Sequence, residues 1–143
     1  MIWERIVIHH TAGADRAGLE AEAIRQFHMG ERGWSDIGYH FLVERVGAAY
    51  WVLCGRPLHH VGAHVRGKNR GSIGVALVGD FTDSPPGSEQ LEVAARLVAG
   101  LLTALEIPIR EVCGHASLSN NPTECPGAWF PWLEFLEMVE DRL

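Results

Sequence analysis

The sequence holds eight histidines, and the search for chemistry begins with an adjacent pair. His9 and His10 end the apolar run of "IVIHHTAG" (6–13). Successive side chains point to opposite faces of a strand, so both can face one site only if the strand ends between them. Far along the chain, "CGHASLSNNPTECPG" (113–127) carries Cys113, His115 and Cys125. The loop between His115 and Cys125 is rich in Asn, Ser and Pro and can fold back to bring an imidazole and a thiolate together. His9 would complete a His/His/Cys set. Zinc takes such donors, and three protein ligands leave the fourth tetrahedral position for water. The pKa of that water falls from about 15.7 to roughly 7, which makes hydroxide available at neutral pH. Spacing alone leaves Cys113 open as the thiolate, since it shares a strand face with His115, and neither HExxH nor CxxC occurs. A cysteine hydrolase using Cys125 with His115 is a further reading of the same residue types.

These residues need elements to position them. The run before His9 reads as a strand. "LEAEAIRQFHM" (19–29) places Ala23, Ile24, Phe27 and His28 near one helical stripe that closes at Gly30. "YHFLVER" and "AYWVLC" read as strands on either side of Val46-Gly47, and "SIGVALVG" (72–79) as a buried strand. "DSPPGSE" (83–89) is a surface loop that delivers Ser88 as a helix N-cap. Leu91, Ala94, Val98, Leu101, Leu102 and Leu105 then share a helical face until Pro108 stops it. Pro131 opens a last helix that docks Trp132, Phe135, Leu136 and Val139 on the core. Alternating strands and helices predict an α/β fold, a central mixed β-sheet flanked by helices, in one compact domain over residues 1–143.

Bulk properties narrow the function. A chain of 143 residues can bury one real core. A formal net charge of -6 argues against nucleic acid as a partner, since that needs a basic face. Arg66, Lys68 and Arg70 read as one solvated basic loop. No apolar run reaches bilayer length, so no membrane partner is expected. "MIWERIVIHH" lacks the pattern of a secretion signal, and the protein as encoded is expected in the cytoplasm. Three cysteines make a disulfide framework improbable. Cys54, in an apolar strand, is expected to be an inert core thiol.

Five blocks, "IVIHHTAG", "IRQFH", "GWSDIGYHFLVER", "VGAHVRGKNRGSIGVALVGDF" and "GHASLSNNPTECPG", resemble in order and spacing the zinc-dependent N-acetylmuramoyl-L-alanine amidases. That family includes amidase-type bacteriophage lysozymes and the peptidoglycan recognition proteins. The likeness covers practically the whole chain and is strongest to the compact phage enzymes. It implies that His9, His115 and Cys125 bind Zn2+, with His10 on the opposite side as a structural residue. It also implies that Tyr39 of "GYHF" is catalytic and that Thr123, where the family has Lys or Thr, sits near the reacting carbonyl. A neutral Thr hydroxyl can donate a hydrogen bond to a developing oxyanion but brings no charge. His64 and Asn69 of "GAHVRGKN" are expected to line the substrate groove, with Trp34 as its aromatic edge.

What the resemblance implies for function is hydrolysis of the amide between N-acetylmuramic acid and L-alanine in peptidoglycan. The enzyme would be monomeric and of the phage or prophage endolysin kind, acting on the wall after release from the cytoplasm. The rival reading is a peptidoglycan-binding module of the same fold that does not cut. The remaining histidines receive structural readings: His59 and His60 solvated, His28 and His40 packed with satisfied ring nitrogens. Asp36 is expected to orient the turn before Tyr39.

Overall fold

The computed structural model describes residues 1–13 and 20–143. β1 (Arg5–His10) is an interior strand in which Ile6, Val7 and Ile8 are fully buried and His9 and His10 nearly so. A strand covered on both faces needs helices or loops on each side, which suits the near-continuous apolar run. The chain continues through α1 (Glu20–Gln26), which runs into a π-helical turn (Phe27–Glu31), and then the hairpin of β2 (Phe41–Val46) and β3 (Ala49–Cys54). β4 (Ser72–Leu77), α2 (Ser88–Leu105), β5 (Val112–Gly114), α3 (His115–Leu118) and α4 (Trp132–Glu140) follow. The five strands form one mixed sheet in the order β3-β2-β4-β1-β5. β1 is parallel to β4 and β5, β2 is parallel to β4, and β2 and β3 are antiparallel. Gly47, at φ 63, makes the hairpin turn at the position expected for it.

The pleat divides the sheet's side chains between two cores. Ile6 and Ile8 of β1 join Val43, Ile73, Val75 and Leu77 in the main core, closed by Leu91 and Val98 of α2 and Phe135 of α4. Ile37, Leu42 and Ala76 form a smaller cluster with Ala21, Ile24 and Tyr39 packed against it. The second cluster lies on the face toward which His9 points.

Several local expectations are corrected. Leu19, first residue of the expected early helix, lies outside the described residues. Along α1, Ala23 is exposed and Phe27 is 46% exposed, while Ala21 and Ile24 make the inward contacts. The wider π-helical turn changes the phase of the stripe from Phe27 onward. α1 is tied to the sheet by Glu44, almost fully buried, whose Oε1 accepts the amides of Glu20 and Ala21 at 2.5 and 3.3 Å. Gly87, not Ser88, is the N-cap of α2, because Ser88 already lies inside the helix and makes no side-chain cap. That helix ends before Pro108: Glu106 adopts a left-handed conformation, φ 54, with its amide bonded to the Leu102 carbonyl. Cys54 is exposed because it ends the edge strand β3, where one face lacks cover. His115 begins α3 just beyond β5 and is not a strand residue. Among the described residues, no helix is long and apolar enough to cross a membrane.

Gln90, in the first turns of α2, is fully buried and donates from Nε2 to the carbonyls of Val43 at 3.1 Å and Val78 at 2.8 Å. It locks the helix to the middle of β2 and to the residue that follows β4. Gln90→Leu takes one buried donor from each carbonyl, leaving Val43 only the Val78 amide at 3.0 Å, and is expected to lower the unfolding free energy by about 1–3 kcal/mol, read by urea denaturation.

Candidate metal centre and groove

The carboxyl ends of the parallel strands β1 and β5 bring His9 and His115 together, as the ends of parallel strands commonly do for ligand sites. Their ring centroids are 4.8 Å apart. The loop after α3 returns Cys125 to the same point, where its carbonyl accepts the Ala116 amide at 2.7 Å. One ligand atom from each of His9, His115 and Cys125 lies within 4.8 Å of the others, a group that could hold a metal ion. His9 Nδ1 is 3.6 Å from Cys125 Sγ. Two donors at 2.0–2.1 Å and 2.3 Å from one tetrahedral ion stand roughly 3.5 Å apart, so this spacing suits a shared cation.

The electrostatics point the same way. Burial, with the neighbouring His64, His115 and His10, holds the pKa of His9 well below its ordinary 6.5. His115 is lowered by burial and by His10. Without a cation, burial pushes the Cys125 thiol up to about 12, against the His10 amide, which lies 3.3 Å from Sγ. The cluster is thus built of neutral imidazoles and a thiol that needs a positive neighbour to ionise. Neutral imidazole and thiolate are the forms that ligate zinc and related divalent ions.

Cys113 is not in the group. It lines a separate cavity of about 590 Å³ with Trp132 and Leu136, and burial raises its pKa. The ambiguity left by spacing arose because β5 ends at Gly114, so the strand-face argument did not extend to His115. His10 takes the other side of β1. Its Nδ1 accepts the Phe81 amide at 3.1 Å, and its backbone amide supports the Cys125 sulfur.

Beside the cluster lies a groove of about 540 Å³ reaching from His115 past Tyr39 and Trp34 to Arg32, Arg66 and Asn69. None of the described residues lining it carries a carboxylate. Tyr39 is half-buried with its ring 5.1 Å from His9. Burial first, and Cys125 second, raise its pKa above the usual 10.0, so the hydroxyl remains a donor. Trp34 is half-buried, stacks at 4.6 Å from His28, and has the Arg32 guanidinium 5.4 Å from its ring. Thr123 is half-buried beside Cys125, and its Oγ1 accepts the Cys125 amide at 3.2 Å, which leaves the hydroxyl proton free to be directed elsewhere.

His64 and Asn69 reach the groove wall, where both ring nitrogens of His64 and the Oδ1 of Asn69 are engaged within the protein. Asn69 Oδ1 accepts the amides of His64 and Val65, both at 2.8 Å. The His64 ring lies between His9 Nε2 at 2.9 Å and the Ser72 carbonyl at 3.2 Å. Sequence reasoning missed His28, Arg32 and Arg66 as groove residues. His28 accepts the Gly38 amide at 3.0 Å, so it is satisfied as expected while also lining the groove. The exposed Arg66 looked like any solvated loop charge, and only the path of the chain brings it to the groove that Trp34 also lines. His40 is packed as expected, bonded to the His60 carbonyl and the Gly74 amide. His59 and His60 are exposed. Asp36 accepts the Ile37 amide at 2.8 Å and pairs with Arg25.

Residues 1–128 match the family model described as N-acetylmuramoyl-L-alanine amidase. The chain is 36% identical over 105 residues to peptidoglycan-recognition protein LB of Drosophila melanogaster, covering 73% of this chain and 43% of that protein. It is 42% identical over 80 residues to the endolysin of Enterobacteria phage T3, covering 56% of this chain and 50% of the endolysin. It therefore spans half or less of the length of these two relatives. Among solved structures, the N-acetylmuramoyl-L-alanine amidase LysC from Clostridium intestinale URNW superposes with a TM-score of 0.80 at 29% identity, over 96% of this chain and 85% of that one. With nearly the whole sequence matched, the chain belongs to the N-acetylmuramoyl-L-alanine amidase family.

Proposed function

We propose that this protein is a zinc-dependent amidase that cleaves the bond between the lactyl group of N-acetylmuramic acid and the L-alanine of the stem peptide. The observation that carries this reading is the meeting of His9, His115 and Cys125 at one end of a groove that also holds Tyr39. Bound there, zinc would supply a Lewis acid and an ionisable water.

The chain's own residues would do the rest. Tyr39, kept protonated by burial, would donate its hydroxyl to the scissile carbonyl oxygen as negative charge grows there. Thr123 would add a second, uncharged donor from the Cys125 side. Trp34 and Arg32 would form the wall against which the glycan and peptide lie, and the arginines Arg32 and Arg66 on that wall suit an anionic peptide. Similarity to the phage T3 endolysin supports a role in phage or prophage lysis. The second reading, a recognition module that binds without cutting, draws support from the similarity to recognition protein LB. The presence of Cys125 beside both histidines favours the enzyme, because a binding module needs no third metal donor.

Release of stem peptide from purified peptidoglycan is expected to stop on chelation and return with zinc, giving new N-terminal alanine and no new reducing ends. Zinc-loaded protein that binds the wall without releasing peptide would instead establish the recognition module, and activity indifferent to chelator would remove the metal from the mechanism. Cys125→Ser is expected to abolish stoichiometric zinc in metal analysis of the purified protein, while Cys113→Ser keeps it. Tyr39→Phe is expected to lower kcat by about 10²- to 10³-fold, the usual cost of losing one donor to an oxyanion, with little change in KM.

A further inference from the structure

A neutral imidazole carries one proton on two nitrogens, and only the bare nitrogen can bind a metal. His9 faces Cys125 through Nδ1, so the site requires its proton on Nε2. Three hydrogen-bonding groups in line determine this. The Ser72 carbonyl can only accept, which puts the proton of His64 on Nε2 at the 3.2 Å contact. His64 Nδ1 is then an acceptor, and it lies 2.9 Å from His9 Nε2, which must donate. The bare Nδ1 of His9 is what remains, aimed at the sulfur.

The surroundings of His64 are built for this placement. The residue is only 9% exposed, with its ring held between His9 and the Ser72 carbonyl. A Cβ on Gly74 would stand 2.7 Å from the ring, and one on Gly62 would stand 2.6 Å from it. Glycine weakens a strand interior, and Gly74 lies within β4 where only close approach of another group accounts for it. Asn69 fixes the backbone of His64 from the other side. Ser72 is itself fully buried, and its hydroxyl donates to the Lys68 carbonyl at 2.6 Å.

We propose that His64 is a positioning residue: it relays the polarity of the Ser72 carbonyl to His9 and so presents the His9 Nδ1 lone pair to the metal site. The inference rests on the metal reading given under the proposed function. It differs from a groove role for His64, because both ring nitrogens are spent within the protein.

The test begins with long-range 15N–1H spectra of metal-free wild-type protein, which report the tautomer of each histidine. His9 is expected as the Nε2–H form, and an Nδ1–H form overturns the proposal. Two variants, first shown to be folded by circular dichroism, are then titrated with zinc against a competing chelator. His64→Phe fills the ring space but cannot accept, and is expected to weaken zinc binding about 10- to 100-fold, the range typical of lost partners to ligand histidines. His64→Asn can place Oδ1 where Nδ1 stands and is expected to recover most of that loss. Equal zinc affinity in wild type and both variants overturns the relay. Should His64→Phe not fold, the wild-type tautomer and the Asn titration decide the matter. Failure of wild-type protein to take up zinc would sink the proposed metalloamidase, while the tautomer spectrum would still decide the relay.

Discussion

The pleat of β1 governs the rest of the structure. Because neighbouring residues in a strand face opposite ways, Ile6, Ile8 and His10 look toward α2 and α4, while His9 looks toward the groove. One short strand therefore closes the main core and starts the His9–His115–Cys125 cluster. The same alternation in β4 sends Ile73, Val75 and Leu77 to the core and leaves Gly74 and Ala76 on the groove side, where small residues make room for rings. A one-residue slip in either strand would exchange these sets, so the packing of the core also holds the site in register.

Burial then shapes the chemistry. His9, His64 and His40 are all pushed toward neutrality, chiefly by loss of solvent, and each finds a specific partner for its ring nitrogens. Neutral imidazoles in a dry, fixed arrangement cost little to reorganise around a cation. The sulfur differs, because burial alone would keep it protonated, and a cation must offset that. The donor set is therefore selective for charge as well as for geometry. Arg32 and Arg66 stand apart from it, at the groove wall and in exposed positions.

Much of this was legible in the amino-acid sequence. Period-two and period-3.6 patterns located the hairpin, β4, α2 and α4, and the alternation rule separated His9 from His10 before any coordinates. Residue types proposed a His/His/Cys set, and resemblance of five blocks chose Cys125 over Cys113. What escaped was set by tertiary context. Cys54 read as a core residue because an edge strand and a central strand share composition. The π-helical turn that changes the inward face after α1 has no composition signal, and it carries His28 into the groove. Gly74 read as part of an apolar strand, although its missing side chain is what admits the His64 ring.

The contact between His9 and Cys125 spans 116 positions of the chain. β1, which is made first, lies between β4 and β5, which are made much later. During synthesis from the amino end, β1 must wait for both neighbours, and the thiol arrives later still. Pairing over such separations closes large loops and is slow to form. The group therefore cannot assemble before residue 125 has been made. A nascent chain presents no assembled His9–His115–Cys125 cluster until most of the residues that support it have been made.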